Sequence, residues 1–103
     1  MTLGELIAYL ETKDQDYIVP LGFNSPHSYR GNYEDLAFEP CANRTVGEML
    51  ACAKEALGTK YTGWKGGYYR MHEDTTVWLS RFGESSKESI GPHLLRYMLG
   101  EYN

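Results

Sequence analysis

The sequence predicts an α+β fold in which one αββ unit is used twice and a C-terminal helix follows. Two patterns carry this prediction. Amphipathic segments with helical spacing alternate with pairs of short β-rich segments, and the first helical segment is similar in sequence to the second. The pseudo-repeats cover about residues 2–40 and 45–83, and the last helix covers about residues 91–100. We therefore expect a single domain whose two β-hairpins form one four-stranded, mostly antiparallel sheet with the helices on one face.

The first two helices begin at matching capping boxes. In the segment Thr2-Leu-Gly-Glu5, the threonine hydroxyl can accept an amide proton of the first turn while the glutamate reaches back to the threonine amide. The segment Thr45-Val-Gly-Glu48 repeats this arrangement. Apolar residues at helical spacing then predict helices over residues 3–13 and from Thr45 to Gly58, where the glycine is the expected left-handed stop.

Short β-rich segments predict the strands of the two hairpins. They cover residues 17–21, 36–38, 68–71 and 75–79. A turn-rich loop over residues 24–32 separates the first two of them. In the third, strand alternation places Tyr69 and Met71 on one side and Tyr68 and Arg70 on the other, so one side of the sheet is expected to be polar and aromatic.

Composition and charge limit the function classes. The 103 residues carry a formal net charge of −4, which disfavours the coating of bulk nucleic acid through counterion release. Without a long apolar stretch or an N-terminal signal segment, the chain is expected to be cytoplasmic and to have no membrane partner. Cys41 and Cys52 show neither a disulfide framework nor zinc-ligand spacing, so we expect reduced thiols, no metal and no cofactor.

The first candidate binding segment covers residues 22–33 and includes the turn-rich loop. Four consecutive residues there supply a titratable donor, a hydroxyl, a stacking ring and a planar guanidinium, which together suit a phosphate or a nucleobase. They are His27, Ser28, Tyr29 and Arg30. The alternative is a purely structural hairpin turn in which Arg30 pairs with Glu34 or Asp35.

The second candidate segment is basic and rich in glycine and aromatic residues, in a chain that is acidic elsewhere. Its paired glycines allow the backbone to approach an anion closely, and its rings can stack on a base. The residues expected at the ligand are Trp64, Lys65, Gly66, Gly67, Tyr69 and Arg70. The alternative is a Gly-Gly hairpin with aromatic cross-strand pairs. Together the two segments predict a cationic, aromatic pocket in which Arg30, Lys65 and Arg70 contact phosphate.

Five motifs resemble those of a family of small, largely uncharacterised proteins that bacteriophages encode. They are PHSYRG at residues 26–31, LAFEP at 36–40, TVGEML at 45–50, GWKGG at 63–67 and TVW at 76–78. The resemblance spans roughly residues 20–99 and implies a phage protein in the cytoplasm of a host cell. By analogy of size, setting and pocket chemistry, it indicates an anti-defence protein that sequesters a nucleotide signal, such as a cyclic dinucleotide or an ADP-ribose derivative.

We therefore expect a homo-oligomeric protein that binds and sequesters a phosphate-bearing nucleotide without catalysis. Two alternatives stay open. The first is an inhibitor of a host protein that acts through a face rich in Tyr and Arg. The second is a small metal-dependent phosphodiesterase or nuclease, for which the candidate groups are His27, Glu34 with Asp35, and His72 with Glu73 and Asp74.

Overall fold

Helices and strands follow one another along the chain largely in the predicted order. The computed structural model describes residues 1–29, 32–62, 68–81 and 88–101, and for residues 32 and 33 it describes the backbone alone. The described elements are α1 (Leu3–Glu11), β1 (Ile18–Tyr29), β2 (Asn32–Thr45), α2 (Val46–Ala56), β3 (Lys60–Thr62), β4 (Tyr68–Arg70), β5 (Val77–Leu79), β6 (Glu88–Ser89) and α3 (Pro92–Met98).

Both predicted capping boxes are present. The Thr2 hydroxyl accepts the Glu5 amide at 3.2 Å, and Glu5 Oε1 accepts the Thr2 amide at 2.9 Å. Thr45 and Glu48 make the same two hydrogen bonds, at 3.0 and 2.9 Å. Gly58, which lies beyond the end of α2, has φ +81°, so the predicted left-handed stop is confirmed.

Two helices are shorter than the hydrophobic pattern predicts. α1 ends at Glu11 instead of residue 13, and a turn follows in which the Asp14 carboxylate accepts the Asp16 amide at 3.0 Å. α3 spans Pro92–Met98 instead of about residues 91–100, with the proline in its first turn. None of the helices in the described ranges is long and apolar enough to span a membrane.

The α+β class and the four-stranded, mostly antiparallel sheet are confirmed. The strand order is β1-β2-β5-β6, with β1–β2 and β5–β6 antiparallel and β2–β5 parallel. Of the two strands predicted for the second hairpin, only β5 joins this sheet, because β4 pairs with β3 in a separate two-stranded sheet. The expected assembly of one sheet from two equivalent hairpins is therefore wrong, and the described residues do not show a duplicated αββ unit.

A turn at residues 72–75 separates β4 from β5 and explains why these strands do not pair. The Thr75 amide donates to the His72 carbonyl at 3.0 Å, and the Thr75 hydroxyl accepts the His72 amide at 2.9 Å. The carbonyls of Glu73 and Thr75 accept first-turn amides of α1. These hydrogen bonds anchor the start of β5 beside α1, where β5 pairs with β2 instead of with β4.

The first hairpin is much longer than predicted. β1 continues through residues 24–29, which the sequence pattern assigns to a turn-rich loop. Ser25, at φ +36°, lies at a bulge where the register with β2 shifts between Asn24 and Pro26. The bulge allows Pro26, which has no amide proton, to lie in the strand while the residues after it remain paired.

An apolar core joins the helices to the four-stranded sheet. Phe23 of β1 and Phe38 of β2 are fully buried, with ring centroids 4.5 Å apart. α2 packs so closely on β1 that a Cβ atom at Gly22 would lie 3.1 Å from the Met49 sulfur. α1 packs on α2, and α3 contacts β1. This core supports one face of the sheet and leaves the other to polar and aromatic side chains.

Candidate functional site

The pairing of β1, β2 and β5 sorts the predicted site residues onto two faces of the sheet. Two neighbouring rows of the register are His27–Ala37–Trp78 and Ser28–Leu36–Val77. Neighbouring rows point to opposite faces. Leu36 and Val77 are fully buried in the apolar core, so Ser28 faces the core and His27 faces away from it.

We call the side that faces away from the core the polar face; its residues are His27, Tyr29, Asp35, Ala37, Glu39 and Trp78. The rings of Tyr29 and Trp78 stack with their centroids 6.0 Å apart and their planes at 25°. The Trp78 indole N–H donates to Asp35 Oδ2 at 3.1 Å. Because Tyr29 belongs to β1 and Trp78 to β5, their rings meet over β2. Ala37, the register neighbour of Trp78 on β2, is fully buried.

His27 is a buried imidazole on the polar face. Its exposed fraction is 8%, and its Nδ1 lies 3.4 Å from the Ser25 carbonyl oxygen. Burial lowers the pKa of His27 below its ordinary value, while the Ser25 carbonyl and the Glu39 carboxylate oppose part of this change. The ring is therefore neutral at pH 7, with one donor and one acceptor nitrogen and no positive charge.

The sheet separates Ser28 from the residues with which it is predicted to act. Ser28 lies on the core side, and its Oγ is buried without a hydrogen-bond partner among the described residues. Tyr29 lies on the polar face, where it is buried against Trp78. The structure thus brings His27 and Tyr29 to one surface and places Ser28 on the other.

Of the ligand residues predicted in the second candidate segment, the structure describes Tyr69 and Arg70. The predicted alternation is confirmed: Tyr68 and Arg70 are exposed, Tyr69 is half-buried and Met71 is buried. The Arg70 guanidinium donates a hydrogen bond to the carbonyl of Gly58, just beyond the C-terminal end of α2. The β3–β4 hairpin contacts β1 and β2. The remaining predicted ligand residues lie outside the described residues: Arg30, Trp64, Lys65, Gly66 and Gly67.

His72 and Tyr69 form a second polar cluster. His72 Nδ1 accepts the Asp74 amide at 3.2 Å, and His72 Nε2 lies 2.6 Å from the Tyr69 hydroxyl oxygen. Both ring nitrogens therefore have a partner, the Asp74 amide in the turn and the Tyr69 hydroxyl on β4. Across the described ranges, no three His, Cys, Asp or Glu side chains gather where they could hold a metal ion. The groups considered for a metal-dependent phosphodiesterase do not come together there.

A cavity of about 620 Å³ lies between the sheet and α3, lined mainly by Leu21, Leu79, Pro92, Leu94, Tyr97 and Met98. Leu21 and Tyr97 are unusually exposed for large apolar residues, at 68% and 65%. Sequence reasoning missed this groove because its residues come from β1, β5 and α3, so no local pattern marks it. It also missed the contact between Asp35 and Trp78, although strand alternation already assigns Trp78 to the side opposite Val77.

Compared with models of protein families, with curated proteins and with solved structures, the chain matches none of them. The resemblance to small phage proteins stays a prediction from the motifs. The chemistry of the site is therefore inferred from its own geometry, which combines a stacked aromatic pair, a neutral buried imidazole and carboxylate acceptors.

Proposed function

We propose that the protein binds a phosphate-bearing nucleotide at the polar face and sequesters it without turning it over. The observation that supports this most directly is the Tyr29–Trp78 stack, which the hydrogen bond between Trp78 and Asp35 holds in place. Trp78 is only half-buried, so part of its ring remains available to a base. Aromatic faces bind nucleobases by stacking. A ring that is already fixed loses little freedom on binding, which favours affinity.

The polar groups around the stack suit the rest of a nucleotide. The neutral His27 can donate or accept a hydrogen bond, and the carboxylates of Asp35 and Glu39 can accept N–H groups of a base. Arg30 directly follows Tyr29 in the sequence, and a planar guanidinium matches the geometry of phosphate. Lys65 is the second cation that the proposal assigns to phosphate.

The biological setting of the proposal comes from the phage-like motifs. A phage protein that removes a cyclic dinucleotide or an ADP-ribose derivative from the host cytoplasm would act against a defence signal. Sequestration needs tight binding, which a site enclosed between subunits can provide. β1 is an edge strand whose exposed residues include the apolar Ile18 and Leu21, a surface that fits a second copy of the chain. We therefore propose that the protein forms a homo-oligomer.

A thermal-shift panel with recovery of the ligand tests this function. Native mass spectrometry gives the oligomeric state, and the panel covers mononucleotides, cyclic di- and trinucleotides and ADP-ribose derivatives. Bound material is released by heat and identified by HPLC. A large rise in melting temperature with the ligand recovered intact supports sequestration. Recovery of a cleaved ligand shows an enzyme instead, and no shift with any compound overturns nucleotide binding.

Point variants separate a binding role from a structural one. Arg30→Ala and Lys65→Ala are each expected to weaken ligand binding while the melting temperature of the free protein stays nearly unchanged. Loss of folding in both variants would support the structural interpretation of the two segments. Tyr97→Ser is the matched control, because Tyr97 is exposed in the groove under α3 and not on the polar face.

The groove under α3 favours a second candidate function, the inhibition of a host protein. Exposed aromatic and aliphatic residues beside an apolar groove are typical of protein–protein interfaces. Leu21 and Tyr97 meet this description. This function predicts that a defined host polypeptide copurifies with the protein and is lost in Leu21→Lys and Tyr97→Ser variants. Retention of the polypeptide by both variants would contradict it.

A further inference from the structure

The contacts of the Trp78 indole on the polar face include a stack and a hydrogen bond. The stack is with Tyr29, and the hydrogen bond runs from the indole N–H to Asp35 Oδ2 at 3.1 Å. In the register of the sheet, the neighbours of Trp78 are Ala37 on β2 and Ser89 on β6. Both are small, so neither offers a large side chain against which the indole could pack from the side.

We propose that Asp35 is a positioning residue for the nucleotide site: its carboxylate fixes the Trp78 indole in the orientation that stacks on Tyr29 and turns the remaining ring surface towards a base. This inference rests on the proposed function for its link to ligand binding. Asp35 is suited to the role because it lies two residues before Ala37 on the same face of β2 and is itself half-buried. A hydrogen bond to a carboxylate in such a place is stronger than one between neutral groups.

We expect the Trp78 indole to hold its stacking orientation already in the free protein, so that binding does not have to select this orientation. When only a fraction of the molecules holds the binding orientation, the apparent affinity falls to that fraction of its full value. If removal of the carboxylate leaves roughly one molecule in ten with the indole correctly placed, affinity falls about tenfold. A conservative amide at the same position can still accept the indole proton through its oxygen, so it should restore most of the affinity.

The orientation is measured on the indole itself. The protein has two tryptophans, so its proton–nitrogen correlation spectrum should contain two indole N–H signals, and Trp78→Phe identifies the Trp78 signal. Asp35→Leu is expected to move that signal upfield, while Asp35→Asn keeps it close to the wild-type position. Glu34→Leu is the matched control, because Glu34 is an exposed neighbouring carboxylate. An Asp35→Leu spectrum with the Trp78 signal unmoved would overturn the proposal.

Binding is measured with a fluorescent N-methylanthraniloyl derivative of ADP, and each variant is first checked for an intact melting transition. Asp35→Leu is expected to bind the probe about tenfold more weakly than wild type, and Asp35→Asn to recover most of that loss. Wild-type affinity in a variant whose indole has moved would overturn the positioning role. If the wild-type protein binds neither this probe nor any compound of the thermal-shift panel, the proposed function fails, and the indole signal still decides whether Asp35 orients Trp78.

Discussion

Gly4 of α1 and Gly47 of α2 make the same backbone contact in two different helices. Each is the second residue of its helix. The Gly4 amide donates to the Glu73 carbonyl at 2.8 Å, and the Gly47 amide donates to the Gln15 carbonyl at 3.0 Å. A Cβ atom at Gly4 would lie 3.1 Å from the Glu73 carbonyl oxygen, and a Cβ atom at Gly47 would lie 3.2 Å from the Gln15 carbonyl oxygen. A side chain at either position would therefore crowd the neighbouring segment, which would have to shift by a few tenths of an ångström.

The first residue of each helix completes the pattern. Leu3 donates to the Thr75 carbonyl, and Val46 donates to the Tyr17 carbonyl. In both helices the accepting segment leads into a strand, β5 or β1. The repeated Thr-x-Gly-Glu sequence thus marks a helix N-terminus that docks on the chain just before a strand, and the similarity between the two segments corresponds to this shared local structure.

Substitution of Gly4 tests the docking contact. Gly4→Ala should lower the free energy of unfolding by about 1–3 kcal/mol, because the new methyl group must displace the Glu73 backbone and Cβ. Urea denaturation followed by circular dichroism measures the change. Gly91→Ser is the control: nothing lies within 4 Å of a Cβ atom at Gly91, and serine is a good N-cap for α3. Equal stability of wild type and Gly4→Ala would show that the contact adapts without cost.

Acidification should weaken the fold through His27. Burial lowers the pKa of His27, so below pH about 6.5 the unfolded chain takes up a proton that the folded chain does not. The stability contributed by the neutral ring is present above that pH and is lost as the pH falls towards the folded-state pKa. Urea titrations between pH 7.5 and about 5 measure this, and the variant His27→Gln should show a flatter profile.

Enlarging Ala37 should disturb the neighbouring aromatic stack. Ala37 is fully buried and lies beside Trp78 in the register of the sheet, so Ala37→Leu should cost about 1–3 kcal/mol of stability. The change should also shift the tryptophan emission spectrum, because the indole must move. Ala51→Leu on the exposed side of α2 is the matched control and should leave both properties unchanged. An unaltered emission spectrum in Ala37→Leu would contradict the position of the rings over β2.

The groove under α3 should tolerate polar substitution in the isolated protein. Leu21→Ser and Tyr97→Ser are each expected to change the free energy of unfolding by within about 0.5 kcal/mol, because both side chains are already largely exposed. Leu95→Ala, on the buried side of the same helix, should cost about 2–5 kcal/mol. Thermal and urea unfolding of the three variants give the comparison. A large loss of stability in Leu21→Ser would show that this residue belongs to the core.

Local signals in the sequence predict the helices well and the strand pairing poorly. The capping boxes at Thr2 and Thr45 are confirmed because each depends on residues three positions apart. The extension of β1 past Pro26 was not predicted, since it depends on a bulge at Ser25 that compensates for the missing amide proton. The parallel pairing of β5 with β2 joins distant parts of the chain and has no local pattern.

The candidate site was predicted in part. His27 and Tyr29 do share one face, but they are buried against neighbouring groups, whereas a turn-rich loop would expose them. Strand alternation separates Ser28 from them, and this follows only once residues 24–29 are known to be a strand. The positive charge of Arg70 predicts a contact with phosphate. In the structure its guanidinium donates to the Gly58 carbonyl beyond α2, a contact that no sequence pattern indicates.

The docking of α1 and α2 on distant segments sets an order for the folding of the chain. The contact of α2 with the segment before β1 closes a loop of about 30 residues, whereas that of α1 with the segment before β5 closes a loop of about 70 residues. Loop closure costs conformational entropy that grows with length, and during synthesis the second contact must wait until the later segment exists. We therefore expect the helix that comes first in the chain to be the later of the two to dock.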